Sequence, residues 1–552
     1  MKILILGGYG VFGGRLVQLL ADLPELSLLI AGRSLTKAQA FCDAYQGASK
    51  LTPVLLDRAD IAQHLRIDTP DLIVDASGPF QNYGDDRYFV ARAAIEHGVP
   101  YVDFADASDF VAGLSTLNEQ AKTAGVFALS GVSSFPVLTA AVVRELAKDI
   151  TVETITGGIA PSPYAGIGLN VMRAVVGYAG HPIALTRNGA RTTAKGLTES
   201  RRTTIAPPGE LPLYNIHFSL VDVPDLQVIP PDYPNLDSIW MGAGPVPEIL
   251  HRMLNLLAKV RGRGLLPNLV SAAPLFYKIL NLMKFGEHRG GMFVRVTGTG
   301  PSGPVERTWN LLAEGDDGPL IPSMAIESII RNMVKGKFPP TGARAATHAL
   351  ELSDYDALFT RRSITTGIRE TLHETAPLYH RILGPAFDEL PAPLRDLHTP
   401  KGIKSWSGTA TVTRGSNPLA KLAAWILRLP KAGRDVPVTV TFTPQNGTEK
   451  WERNFGGQTF HSIQAEGHGR NAHLLTERFG PITVSLALVL KNGELDLVPR
   501  RWAFFGLPLP TALLPQGRSY ESAPEGKFTF DVQFKTPLTG LIAAYRGTLT
   551  KD

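Results

Sequence analysis

Lys2-Ile3-Leu4-Ile5-Leu6-Gly7-Gly8-Tyr9-Gly10-Val11-Phe12-Gly13 decides how this chain reads. A short apolar run ends in a glycine cluster, and residues 13–23 then carry Leu16, Leu19 and Leu20 at helical spacing. The cluster holds G-x-G-x-x-G as Gly8, Gly10 and Gly13, and G-x-x-G-x-x-G as Gly7, Gly10 and Gly13. Alone the pattern is weak. After a strand and at the opening of a helix it predicts a phosphate-binding turn. The early glycines permit a tight turn, Gly10 lets the backbone approach a pyrophosphate, and Gly13 lets helix and strand pack closely. The helix start then offers free N–H groups and the positive end of its dipole. The alternative is a glycine turn in an α/β sheet that holds no dinucleotide.

Working outward, apolar runs at residues 26–31, 51–56, 71–76, 101–104 and 126–129 alternate with helical patterns at 34–45, 61–65, 85–97 and 108–123. This beat predicts an α/β domain over residues 1–130, a Rossmann-type doubly wound parallel sheet of six strands. Residues 131–370 read as an α+β substrate or dimerisation domain, with helices at 166–178 and 324–334 and hairpins at Asn188-Gly189 and residues 300–303. A homodimer is compatible with that reading. Residues 375–552 read as a mainly antiparallel β domain with a hairpin at Asn492-Gly493 and one helix at 419–427. The helix is expected to cover an open side of the sheet. Such a domain either encloses an apolar ligand or is solid and serves for docking.

Composition narrows the classes. A chain of 552 residues predicts about three to five domains. With 44% hydrophobic and 19% charged residues it is globular, and a net charge of +5 argues against nucleic acid as a partner. One cysteine, Cys42, excludes an intramolecular disulfide and a cysteine-based metal centre. His461, His468 and His473 form the closest histidine group without a ligand spacing, so no metal is expected. No G-x-S-x-G elbow is present. The N-terminal run is too short for a signal peptide and no apolar window reaches about 18 residues. A cytoplasmic protein without a transmembrane segment is expected. Residues 249–285 are apolar but interrupted by His251, Arg252, Lys259, Arg261, Arg263 and Lys278. They read either as packed helices or as an amphipathic surface that meets a membrane or admits a lipid. Trp406, Trp425, Trp451 and Trp502 concentrate in the last domain and read as core.

The end of the second strand selects the cofactor. An NAD site places Asp or Glu there for the ribose 2′-hydroxyl. This strand ends Ala31-Gly32-Arg33-Ser34. Arg33 offers a planar fork to a 2′-phosphate, with Ser34 and Lys37 adding donors, so NADP is expected; the alternative is that Arg33 stacks on the adenine or solvates a helix start. Asp57 closes the third strand, near the adenine or as a helix cap. Ser77, Gly78, Pro79 and Phe80 follow the fourth strand at the crevice where strand order reverses. Gly7, Gly8, Tyr9, Gly10, Val11, Phe12 and Gly13 complete the cofactor set. Asp103 and Asp106, after the fifth strand, are the candidate proton donors or acceptors for hydride transfer, with helix capping as the alternative.

Residues 7–13, Ala31-Gly32-Arg33-Ser34, Ser77-Gly78-Pro79-Phe80 and Val99-Pro100-Tyr101-Val102-Asp103 resemble the NADP-binding domain of saccharopine dehydrogenase-like oxidoreductases. The resemblance extends more loosely to about residue 365. The C-terminal part resembles DUF4166 at residues 383–387, 415–418, 478–481 and 507–510. The first resemblance implies NADP(H) and hydride transfer to or from a carbonyl, imine or enoyl-type substrate, and an acidic residue near Asp106. It does not imply saccharopine, and relatives act on other molecules, lipid-like ones included. Few clustered cations in residues 131–370 argue against a polyanionic substrate. The competing reading is a non-catalytic NADP(H)-binding protein whose β domain binds an apolar ligand or docks a partner.

Overall fold

β1 (Lys2–Leu6), β2 (Ser27–Gly32), β3 (Lys50–Leu55), β4 (Leu72–Asp75), β5 (Tyr101–Asp103) and β6 (Phe127–Ser130) pair in parallel in the computed structural model. The structure describes residues 1–166, 168–266, 269–371, 376–400 and 402–552. Strand order is β6-β5-β4-β1-β2-β3, so the order reverses beside β1 and β4. Ile3, Leu4 and Ile5 of β1 are fully buried, as a strand covered on both faces requires.

A seventh strand, Gly342–Ala345, pairs in parallel with β6. The chain thus returns to the first sheet before adding the last strand of the second, Ile364–Glu370. The helix Ile321–Val334 returns with it and packs on α1 (Val11–Leu19). Ser323 donates to the Phe12 carbonyl (3.3 Å), and Arg331 donates to the Leu19 carbonyl (3.0 Å) and pairs with Asp22 (2.7 Å). The single helix predicted at 108–123 is three pieces, Ser108–Gly113, the 3₁₀ turn Leu114–Leu117 and Asn118–Thr123.

The second sheet is mixed. Its strand Thr151–Ala160 runs parallel to Ser238–Ala243 and antiparallel to Arg289–Gly300, which pairs with Gly303–Glu314. Pro182–Arg187 and Ala190–Lys195 form the predicted hairpin, with φ of 52° at Asn188 and 68° at Gly189. The helix predicted at 166–178 spans Leu169–Tyr178, and its Ile167 lies outside the described residues.

The chain forms two units, residues 1–201 with 217–366, and residues 202–216 with 367–552. The first unit holds residues 1–130 and most of the expected 131–370 domain, whose residues 202–216 and 367–370 belong to the second unit. The expected start of the last, residue 375, lies outside the described residues.

The second unit is an antiparallel barrel of ten strands, with the short strand Leu507–Pro508 added to Glu494–Phe504. Its ring runs Ile482–Lys491, Leu475–Phe479, Gln458–Glu466, Thr448–Phe455, Gly433–Gln445, Lys404–Arg414, Gly540–Lys551, Phe528–Thr536, Tyr520–Ser522 and Glu494–Phe504, and the last pairs with the first. Closure removes the sheet's edges. Trp406, Phe442, Trp451, Phe455, Phe460 and Phe528 share its core. The helix Pro418–Ile426 packs Ala420 and Ala424 against Ile542 and Ala543 and leaves Trp425 exposed, unlike the buried Trp406 and Trp451. No helix among the described residues is long and apolar enough to cross a membrane.

Candidate functional site

The glycine turn is built on backbone. Gly7 and Gly8 donate to the Ala31 carbonyl of β2 (2.8 and 3.2 Å), and Gly10 donates to the Gly7 carbonyl (2.8 Å). Gly7 has φ of 74°, and a Cβ there would lie 2.7 Å from the Ala76 carbonyl oxygen. A Cβ on Gly13 would lie 2.5 Å from the Gly7 oxygen, so α1 comes as close to the turn as glycine alone permits. No side chain caps α1 at Gly10. Its first N–H groups, which have no intrahelical acceptor, remain for a ligand.

That helix start opens on a cavity of about 1080 Å³ within the first unit. Gly7, Tyr9, Gly10, Val11, Phe12 and Arg33 line it, as do Asp57, Ser77, Gly78, Pro79 and Phe80. Gly8, Gly13 and Ser34 stand behind this lining. Gly8 and Gly13 allow the close approach of strand and helix. Ser34 accepts from the Lys37 N–H (3.4 Å) and caps the helix Leu35–Asp43, while its own N–H donates to the Tyr9 hydroxyl (3.1 Å). Arg33 is exposed and has no hydrogen bond or ion pair among the described residues, so its fork is open to a phosphate. Asp57 accepts from the Ala59 N–H (3.1 Å) and caps a 3₁₀ turn while facing the cavity.

Beyond β4, Ser77 is fixed by Asp75, whose Oδ1 accepts from the Ser77 N–H (2.9 Å) and hydroxyl (2.5 Å). Burial raises the Asp75 pKa, opposed by the bonds from Ser77. Ser77 also bonds the Tyr83 hydroxyl (2.8 Å), and the Arg58 guanidinium lies 3.3 Å from the Tyr83 ring centre. Arg58, unmarked in the sequence, is thus a further cation on the cavity.

The two candidate acids separate. Asp103 is fully buried and does not line the cavity. Its Oδ1 accepts from the Ala105 N–H (3.0 Å), the Ser130 hydroxyl (3.0 Å) and the Gly131 N–H (2.8 Å), tying β5 to β6. Its Oδ2 has no partner, and burial pushes its pKa up to about 7. Asp106, three residues on, lines the cavity and accepts from the Gln81 amide (3.0 Å). Its side chain is open to that space, yet the protein crowding round it raises its pKa.

Asp106 shares its surroundings with two residues the sequence did not single out. Asp222 accepts a 2.5 Å bond from the Ser108 hydroxyl, and burial followed by the charges of Asp109 and Asp106 raises its pKa. Tyr178 ends the helix Leu169–Tyr178; burial and the charges of Asp222 and Asp106 keep its hydroxyl protonated. The three lie on different elements, and no local pattern brings them together.

His251, noted in the sequence only as an interruption of an apolar stretch, is a further residue of this cavity. It lines the cavity and is buried, with neither ring nitrogen hydrogen-bonded. Burial, then the neighbouring His217, lowers its pKa to about 4, so the ring is neutral. Met172, Leu250, Leu254, Phe276, Ile279 and Leu280 make the surrounding wall apolar. Among the described lining residues the only Lys or Arg side chains are Arg15, Arg33 and Arg58.

Residues 3–129 match the family described as the saccharopine dehydrogenase NADP binding domain, and residues 390–549 match DUF4166, a domain of unknown function. No curated protein sequence matches it. Among solved structures it is similar to apo saccharopine dehydrogenase (L-Glu forming) from Saccharomyces cerevisiae, at 13% identity and TM-score 0.47, over 67% of this chain and 100% of that one. It is also similar to an amine dehydrogenase from Mycobacterium smegmatis, at 13% identity and TM-score 0.32, over 63% and 95%. A myo-inositol dehydrogenase from Corynebacterium glutamicum ATCC 13032 gives 12% identity and TM-score 0.31, over 66% and 98%. Values this low carry nothing about substrate.

Proposed function

We propose that the protein is an NADP(H)-dependent oxidoreductase acting on a hydrophobic, uncharged carbonyl, imine or enoyl-type substrate. One observation carries the reading: a single cavity runs from the glycine turn and Arg33 to an apolar wall. The family match at residues 3–129 supports the nicotinamide cofactor, and the unpaired Arg33 supports NADP over NAD. The glycine cradle and the uncapped α1 fit a pyrophosphate. When bound, the cofactor supplies or accepts the hydride.

The chain's own residues do the rest. Asp106, open to the cavity and held by Gln81, gives or takes a proton at the substrate heteroatom. Tyr178, kept protonated by burial and the charges of Asp222 and Asp106, donates a hydrogen bond to that atom. The Lys- and Arg-free apolar wall supports a substrate without carboxylates, since a buried anion needs a partner. The competing idea of a ligand in the barrel has less support, because aromatic side chains occupy its core.

NADPH binds at least about ten-fold more tightly than NADH, roughly 1.4 kcal/mol, and Arg33→Ala removes most of that difference. Fluorescence titration of both cofactors checks it. Equal affinities in the unmodified protein would overturn the NADP assignment. Absence of NADPH turnover across apolar ketones, imines and enoyl compounds would overturn the enzymatic reading.

A further inference from the structure

The helix Glu248–Arg261 has its polarity reversed. It buries His251 and Asn255 together with Ala258, while Ile249, Met253 and Leu256 are 64%, 57% and 61% exposed on the other side. The next helix, Ala273–Leu282, buries only Ala273 and leaves Leu275 59% and Leu282 79% exposed. Leu265 and Phe285, at 71% and 63%, flank it. Seven of the 22 exposed large hydrophobics among the described residues therefore fall between residues 249 and 285. Water disfavours such a surface, and an apolar phase favours it.

Charge identifies the phase. Arg252, Lys259, Arg263, Lys278 and Lys284 are exposed among these side chains. The acids of the stretch, Glu248 and Glu287, each sit against an arginine, Arg252 (2.7 Å) and Arg289. Aliphatic side chains interleaved with lysines suit the headgroup boundary of an anionic bilayer. A protein interface core instead depletes lysine and favours aromatic anchors.

We propose that these two helices dock the protein on an anionic phospholipid bilayer. The same helices contribute Leu250, Met253, Leu254, Phe276, Ile279 and Leu280 to the cavity wall, so docking sets the apolar end of the cavity beside the acyl chains. That consequence rests on the hydrophobic-substrate reading, whereas the docking does not.

The test is co-sedimentation of the full chain with vesicles of equal parts phosphatidylcholine and phosphatidylglycerol, and with phosphatidylcholine alone. The protein sediments with the mixed vesicles, and partitioning falls about ten-fold in Ile249→Asp/Leu256→Asp and in Leu282→Asp/Phe285→Asp. None of these four residues lines the cavity, so NADPH titration is unchanged and shows that the variants are folded. Should a double variant not fold, Leu282→Trp replaces it, its added indole emission shifting to the blue on mixed vesicles. The proposal is overturned if the unmodified chain stays in the supernatant, if the folded Asp variants sediment equally, or if the added emission of Leu282→Trp does not move. It is also overturned if light scattering shows a dimer that the same variants split without any vesicle binding. Failure of NADPH titration in the unmodified chain would strike the functional reading alone.

Discussion

The crevice beyond β1 and β4 and the interior of the barrel both gather side chains from several strands, yet one leaves about 1080 Å³ open and the other is filled. The difference begins in topology. Parallel strands diverge at their carboxyl ends where strand order reverses, and glycines and small residues there keep the gap. Ten antiparallel strands close on themselves, and Trp406, Phe442, Trp451, Phe455, Phe460 and Phe528 fill what they enclose. Polar groups are enclosed in both: His398 in the second unit bonds Glu521 through Nε2 at 2.5 Å and stacks on Tyr379 with its Nδ1 unpartnered, and His251 in the first unit is buried with neither ring nitrogen bonded by a side chain.

Truncation should break this comparison most sharply. Phe442→Ala removes a fully buried ring and costs about 3–5 kcal/mol, the usual range for such a deletion. Leu280→Ala trims a side chain that already borders open space, and costs about 1 kcal/mol or less. Urea unfolding followed separately for each unit measures both. Equal losses would mean that the cavity wall is as tightly supported as the barrel core.

The next effect is on binding. A Cβ on Gly10 would meet the Gly7 carbonyl at 3.0 Å and otherwise open space, so Gly10→Val directs its methyls into the cavity. NADPH affinity should fall at least about a hundred-fold, near 2.7 kcal/mol, with unfolding unchanged. Gly13→Val meets backbone at 2.5 and 2.8 Å and should lose binding and stability together. Binding retained by Gly10→Val would place the phosphates elsewhere.

What was legible followed from local rules. Residues 2–13 carry strand, turn and helix start in one stretch, and Arg33 stands where strand-end chemistry is read. The barrel strands announced themselves by alternation and by Asn492-Gly493. Gly342–Ala345 did not, because Gly-Ala-Arg-Ala has no strand pattern and becomes a strand only by pairing with β6. Asp222, Tyr178 and His251 were silent as site residues for a related reason: tertiary packing, not spacing, brings them to one cavity. Periodicity put apolar residues at helical spacing within residues 249–285 and left packed helices and an amphipathic surface both open, and it could not say that His251 and Asn255 face inward.

The finest contrast lies at the end of β5, where Asp103 is closed in and Asp106, three residues on, is open. Folded Asp103 keeps its proton to about pH 7, against an ordinary value of 3.8. Between those values the unfolded chain has released the proton and the folded chain has not. Stability therefore falls as pH rises from about 4 to about 7, by at most about 1.4 kcal/mol per pH unit, and is level above. Asp103→Asn keeps the Oδ1 acceptor that holds Ala105, Ser130 and Gly131, and places its amide where Oδ2 has no partner. It should flatten this part of the profile and be least harmful near pH 7. His251 acts oppositely: with its pKa lowered to about 4 from 6.5, stability is lost as pH falls through that window, and His251→Leu should remove the loss. Asp106, whose pKa burial also raises, bends the stability profile in the same direction as Asp103, so Asp106→Asn is told apart by lowering turnover and changing its pH dependence. Chemical unfolding at several pH values, set beside the pH–rate profile, separates the three. If Asp103→Asn reshaped turnover while Asp106→Asn left it unchanged, the closed and open carboxylates would have exchanged roles.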